Sequence, residues 1–359
     1  MRRTPGRDER RRGSAEGTEG QVHVEGEITG PTLLCDPRGR LRRESVGWSR
    51  HPLHTCNIKG RWPRKKRWNY WCVADDERLF SVTLSSVDYV GLAFAYFLEY
   101  ETRRFIEQTV MVPFGWGGVL PDTVNGDARL KHRSMNVSFE QQHGGTHIRV
   151  DSPYFGGVRL SADLLVERPE GHETLNVVIP WTDSRFQFTS KQNCLPTTGT
   201  VTLGGATFAF ERGKALACLD YGRGVWPYAS TWNWASCSGA QDGRTIGFNL
   251  GAGWTDGTGM TENAVLVGGR ISKIHEDVSF VYDRADIMKP WTIRARASRR
   301  IDLTFRPFFK RVARTNMVVV RSEMHQLIGR FSGTVVTDDG EAVLVEDLIG
   351  WAEEHTARW

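Results

Sequence analysis

The stretch Phe80-Ser-Val-Thr-Leu84 decides the fold, because its apolar residues return every second position: Phe80, Val82 and Leu84 face one way, Ser81 and Thr83 the other. The same period of two recurs where Ile301, Leu303 and Phe305 alternate with Asp302, Thr304 and Arg306. It recurs again where Val278, Phe280 and Tyr282 follow one another, although Val281 breaks the polar face. Such segments read as half-buried antiparallel strands. Between them lie Gln241-Asp-Gly-Arg244, Val267-Gly-Gly-Arg270 and Asp338-Asp-Gly340, whose Asp-Gly and Gly-Gly pairs supply the positive φ angles of tight hairpins. The expected fold is all-β: two antiparallel β-barrel or sandwich domains with few helices. The chain end, Glu346 to Trp359, places Glu354 and Arg358 four apart but contains Gly350, so a helix and a final strand remain equally open.

A length of 359 residues predicts two domains at roughly 150 residues each. The composition turns to Thr, Gly, Pro and Asn over Lys191 to Gly205, which places the expected boundary there: an N-terminal β-domain over 25–200 and a C-terminal one over 201–359. Hydrophobic content of 39% with 25% charge is ordinary, whereas 13 Trp point to aromatic cores or clefts. The longest apolar run, Val90 to Leu98, is far shorter than the ~20 residues of a membrane helix, so no integral membrane segment is expected.

The net charge of +5 is concentrated at the start, where residues 1–12 hold six Arg against Asp8 and Glu9, a net of +4. We read residues 1–24 as a disordered polar tail, the alternative being a tether to nucleic acid or another anionic surface. With no apolar stretch behind the arginines, neither a secretory nor a twin-arginine signal is expected. The six cysteines form no C-x-x-C and read as reduced, buried thiols of a cytoplasmic protein.

Candidate chemistry gathers in Gly253 to Asn263, GWTDGTGMTEN, and in the aromatic run Trp226 to Ser236. Asp256 and Glu262 form a candidate acid–base pair, since two carboxyls in one aromatic cleft have their pKa values pushed apart. The alternative is structural: Asp256 closes an Asx turn, Glu262 pairs with Arg244, and Asn263 finishes the loop instead of binding ligand. Trp226, Trp232, Trp234 and Trp254 suit either a pocket wall for an apolar ligand or a packed core. Strand geometry would put Trp232 and Trp234 on one face and Asn233 on the other.

Other motifs carry less. Lys59 to Arg67 holds six Lys or Arg, followed by Trp68, Tyr70 and Trp71, and reads as a solvated loop entering a strand, not as a nucleic-acid groove. Asp88 and Tyr89 read as a strand bend. The pairs His51/His54 and His143/His147 contain Pro or Gly-Gly, so no metal is expected. No phosphate loop, dinucleotide fingerprint or nucleophile elbow appears, and no cofactor is expected.

The stretches RWNYW (Arg67 to Trp71), FSVTLSSVDYVG (Phe80 to Gly91), DYGRGVWPYASTWNWASCSG (Asp220 to Gly239) and GFNLGAGWTDGTGMTEN (Gly247 to Asn263) resemble the bacterial family called domain of unknown function 2804. The resemblance runs from about residue 31 to the end and implies an architecture without an activity. More distantly the pattern is similar to two-domain, lipocalin-like proteins that include carotenoid 1,2-hydratases. The expected function is binding of an apolar or amphipathic small molecule. A hydratase or isomerase working on a carbon–carbon double bond, and a sugar-binding or glycoside-active cleft, are the alternatives.

Overall fold

The computed structural model describes residues 23–316 and 321–358. The Arg-rich tail expected over 1–24 lies outside them, except for its last two residues.

Two curled antiparallel sheets, of fourteen and nine strands among the described residues, form the body of the molecule, and a two-stranded parallel sheet pairs Thr32–Leu33 with His54–Thr55. In the first, Phe105–Pro113, Val90–Glu99, Arg78–Ser86, Lys65–Ala74, Leu216–Val225 and Arg185–Leu203 lie side by side in that order, followed by Val158–Glu167 and the hairpins beyond it. The second is ordered around Arg244–Ala252, Ala229–Gln241, Ala342–Arg358, Arg321–Val336 and Ile301–Asn316. The only helical element among the described residues is a 3-10 turn at Arg43–Ser45.

The three expected hairpins are present. Gln241 pairs with Arg244, Val267 with Arg270, and Val336 with Ala342 across the turn that contains Asp338 to Gly340. The chain end is a strand, Ala342–Arg358, inserted between Ala229–Gln241 and Arg321–Val336; both of its edges are satisfied by ladders, which outweighs any local helical tendency. Asp88, with φ of 68°, makes the expected bend between Arg78–Ser86 and Val90–Glu99.

The composition change at Lys191 to Gly205 marks an irregular strand and not a change of sheet. Residue 200 falls inside Arg185–Leu203, which stays in the first sheet through a register shift between Gln192 and Leu195. The chain leaves that sheet after Val225 and enters the second at Ala229.

Each sheet encloses its own core, and the sheets pack on each other through a further apolar layer. Phe80, Val82 and Leu84 enter the first sheet's interior with Trp71 and Val73. Ile301, Leu303, Phe305, Ala235 and Cys237 fill the second's. Ser81 and Thr83, read as solvent-facing, are buried at 0% and 3% exposure because the second sheet covers their face. Arg78–Ser86 is therefore buried on both sides, whereas Ile301, Leu303 and Phe305 do alternate with exposed Asp302 and Arg306. All six cysteines are buried and free.

Candidate functional site

Alternation directs a second set of side chains into the space between the sheets. In the first sheet, Lys191, Asp220, Tyr70, Thr83 and Phe94 follow one another across five strands, and Thr189, Gly222, Trp68 and Ser85 form the neighbouring row. Gly222 is required there, because a Cβ would stand 2.2 Å from the Trp68 indole. In the second sheet the facing rows are Gly251, Trp234, Glu353, Gln326 and Arg311, and Trp232, His355 and Met324. Together these rows enclose a cavity of about 230 Å³. A neighbouring cleft of about 530 Å³ shares Ser85, Phe94, Arg311 and His355 with it.

One wall is aromatic. Trp226 and Trp254 stack with centroids 5.0 Å apart and planes 18° apart, and Trp232 packs on Trp226 at 5.5 Å. Trp232 and Trp234 share the cavity face as strand geometry requires, while Asn233 points away and donates to the Tyr282 hydroxyl. The indole N–H groups are satisfied: Trp226 by Gln187, Trp234 by Asn249, Trp254 by Glu262 and Trp232 by Glu353.

The other wall carries buried charge. Lys191 Nζ stands 2.9 Å from Asp220 and 3.0 Å from Glu262 Oε2, with the Trp234 ring 4.6 Å away. Burial alone would lower the Lys191 pKa; the two carboxylates outweigh it and hold the ammonium above its usual range. Burial pushes the Glu262 carboxyl up, against the opposing pull of Lys191. The Trp254 indole reaches Glu262 Oε1 at 2.6 Å, and the Oε2 contact with Lys191 is an ion pair without hydrogen-bond directionality. Glu353 is raised to about 7 by desolvation that its Trp232 hydrogen bond only partly offsets. His355 is pushed down to about 3 by burial and by Arg311, so it is a neutral imidazole, with its ring 4.1 Å from Trp232.

The loop that presents Glu262 is anchored from outside the cavity. Glu25 accepts from the Thr261 N–H and hydroxyl and pairs with Lys273 at 2.7 Å, an ion pair with almost no exposure. Asn263 is spent on backbone, accepting from Gly251 N and donating to the Glu276 carbonyl, so it does not line the cavity. Asp256 is exposed, accepts from Gly253 N in a turn and meets Arg296; it is not brought together with Glu262. Arg244 is exposed and pairs with Glu341 at 2.9 Å, away from Glu262.

The expected site thus loses Asp256, Arg244 and Asn263 from the cavity wall, keeps Glu262 and the four indoles, and gains Lys191, Asp220, Glu353 and Arg311. Asp220 opened one of the recognised motifs, but nothing local joins it to Lys191 or to Glu353 in the last strand. Lys66, read as part of a solvated loop, is buried at 2% exposure on the cavity wall, and burial lowers its pKa to about 8. Among the described residues no three His, Cys, Asp or Glu side chains are grouped to hold a metal ion, and no helix is long and apolar enough to cross a membrane.

No curated protein matches the chain. Among solved structures it is similar to CghA, at 12% identity over 93% of this chain and 97% of that one, with a TM-score of 0.50. It is also similar to a candidate AttH from Nitrosomonas europaea (12% identity, 81% and 92% coverage, TM-score 0.49). A third is kievitone hydratase from Nectria haematococca (9% identity, 82% and 89% coverage, TM-score 0.44). At these identities the likeness is one of fold. The family model described as Domain of unknown function (DUF2804) matches residues 25–359, six residues earlier than the motifs suggested, and the chain belongs to that family.

Proposed function

We propose that the protein binds a lipophilic or amphipathic small molecule between its two sheets. The observation that carries this reading is the cavity itself, walled by Trp226, Trp232, Trp234 and Trp254 and lying between the facing rows of the two sheets. Indoles whose N–H groups are already bonded present only their faces to a ligand, which suits flat or chain-like apolar bodies. Native mass spectrometry of freshly purified protein, followed by solvent extraction, tests the reading. A one-to-one apolar adduct supports it; a protein that is empty and takes up no neutral hydrophobic probe overturns it.

A second reading, hydration or isomerisation of a carbon–carbon double bond, is favoured by Glu353, a buried carboxyl with a pKa of about 7 on the cavity wall. Protonated Glu353 gives its proton to one alkene carbon, the π pair forms the new C–H bond, and the indoles stabilise the cation left on the neighbouring carbon. Water then forms the C–O bond and releases its proton to Glu262. Losing a proton from the adjacent carbon instead gives the isomer. Incubation with unsaturated apolar compounds in deuterated water reads this directly: deuterium enters carbon with the native protein and not with E353Q.

A further inference from the structure

Arg311 is 6% exposed and belongs to both the inner cavity and the neighbouring cleft. Its Nε donates to Glu107 at 2.8 Å, and its guanidinium lies 4.5 Å from the Tyr96 ring and 5.5 Å from the Phe94 ring. Those three contacts fix the plane of the group. Among the described residues, neither terminal amine of Arg311 makes a hydrogen bond, and neither is sealed from the cavities. A buried guanidinium with its fork unspent is a costly arrangement in a folded protein unless an anion completes it.

We propose that Arg311 is the anion-binding residue of the cleft, and that the ligand is a carboxylate-bearing amphiphile whose apolar body lies along the indole wall. The assignment rests on the reading of the cavity as a lipophilic site and adds the ligand's polar end. The terminal amines present two parallel N–H groups, which match the two oxygens of a carboxylate. Arg311 stands at the end of the row Gly251, Trp234, Glu353, Gln326, so a carboxylate there leaves the chain pointing along that row toward Trp234, with Trp232 in the adjoining row. Glu107 is 37% exposed and neutralises Arg311 only in part, because water screens it.

Fluorescence titration with dansyl-labelled undecanoic acid and with its methyl ester, at a pH where the acid is ionised, tests the proposal. The native protein binds the acid about tenfold more tightly than the ester, the usual worth of a charge-assisted hydrogen-bond pair. R311M abolishes that preference while leaving ester affinity within about twofold, R311K keeps part of it, and E107Q strengthens acid binding. Unchanged ester binding shows that R311M retains its fold. Equal affinity of the native protein for acid and ester, or a preference that survives in R311M, overturns the anion site and leaves the lipophilic reading standing. Failure of the native protein to bind either probe overturns both.

Discussion

Gly251 lies directly beneath the carboxylate of Glu262: a Cβ built on Gly251 would sit 2.0 Å from Glu262 Oε1 and 2.6 Å from its Cδ. The glycine is the second-to-last residue of Arg244–Ala252 and is paired with Trp234, so a backbone shift there would disturb that pairing. G251A therefore forces Glu262 away from Trp254 and Lys191. We expect a loss of roughly 2–4 kcal/mol, the range of overpacked cores and broken buried networks, read from urea denaturation. An unchanged midpoint would mean that the Glu262 side chain relocates freely.

Lys191 pairs with both Asp220 and Glu262, and all three side chains are buried or nearly so. K191M leaves two uncompensated carboxylates and should cost about 3–5 kcal/mol. Adding D220N and E262Q to K191M removes the unpaired charge and should recover most of that loss. If the triple variant is as unstable as K191M, the lysine acts through packing on Trp234 and not through charge.

Glu353 is raised from 4.5 to about 7 in the folded protein. The folded state then holds a proton that the unfolded chain has released, so this group makes stability fall as pH rises from about 4.5 to 7 and keeps it lowered above that. E353Q keeps an acceptor for Trp232 and removes the titration. Relative to native protein it should gain on the order of 2–3 kcal/mol between pH 4.5 and 8. Melting curves across that range check this; parallel curves would show that Glu353 titrates normally. His355, pushed down to about 3, has the opposite sign, losing stability as pH falls below its unfolded value, and it cancels in the comparison.

Asp256 and Arg244 are exposed and bonded outside the cavity. D256N and R244A should each change stability by less than about 1 kcal/mol and leave probe affinity unaltered. A large loss of binding in either would return the loop Gly253 to Asn263 to the centre of the site.

Local pattern carried the sequence reading a long way. Alternation at Phe80 to Leu84 and the paired turn residues were enough for antiparallel sheets, and Trp232-Asn-Trp234 was enough to put two indoles on one face. Glu262 is legible because carboxyls in a loop close to several tryptophans are conspicuous. Its true partners were not. Lys191, Asp220 and Glu353 come from different strands that meet only when the two sheets face each other, so the nearest acid in sequence, Asp256, took the place of Glu353. The polar faces of the strands likewise read as solvent-facing, because no single strand records that a second sheet will cover Ser81 and Thr83. The last strand was ambiguous for the same reason: its stability comes from two neighbours, not from its own residues.

The central claim is that an apolar molecule occupies the space between the sheets. Ser85 lines the inner cavity and the adjoining cleft, so S85W places an indole where the ligand would lie. Titration of native protein and S85W with the uncharged probe N-phenylnaphthylamine, with circular dichroism confirming the fold, decides it. The account predicts saturable one-to-one binding by the native protein and at least tenfold weaker binding by S85W. Equal affinity in both would place the probe elsewhere and contradict it.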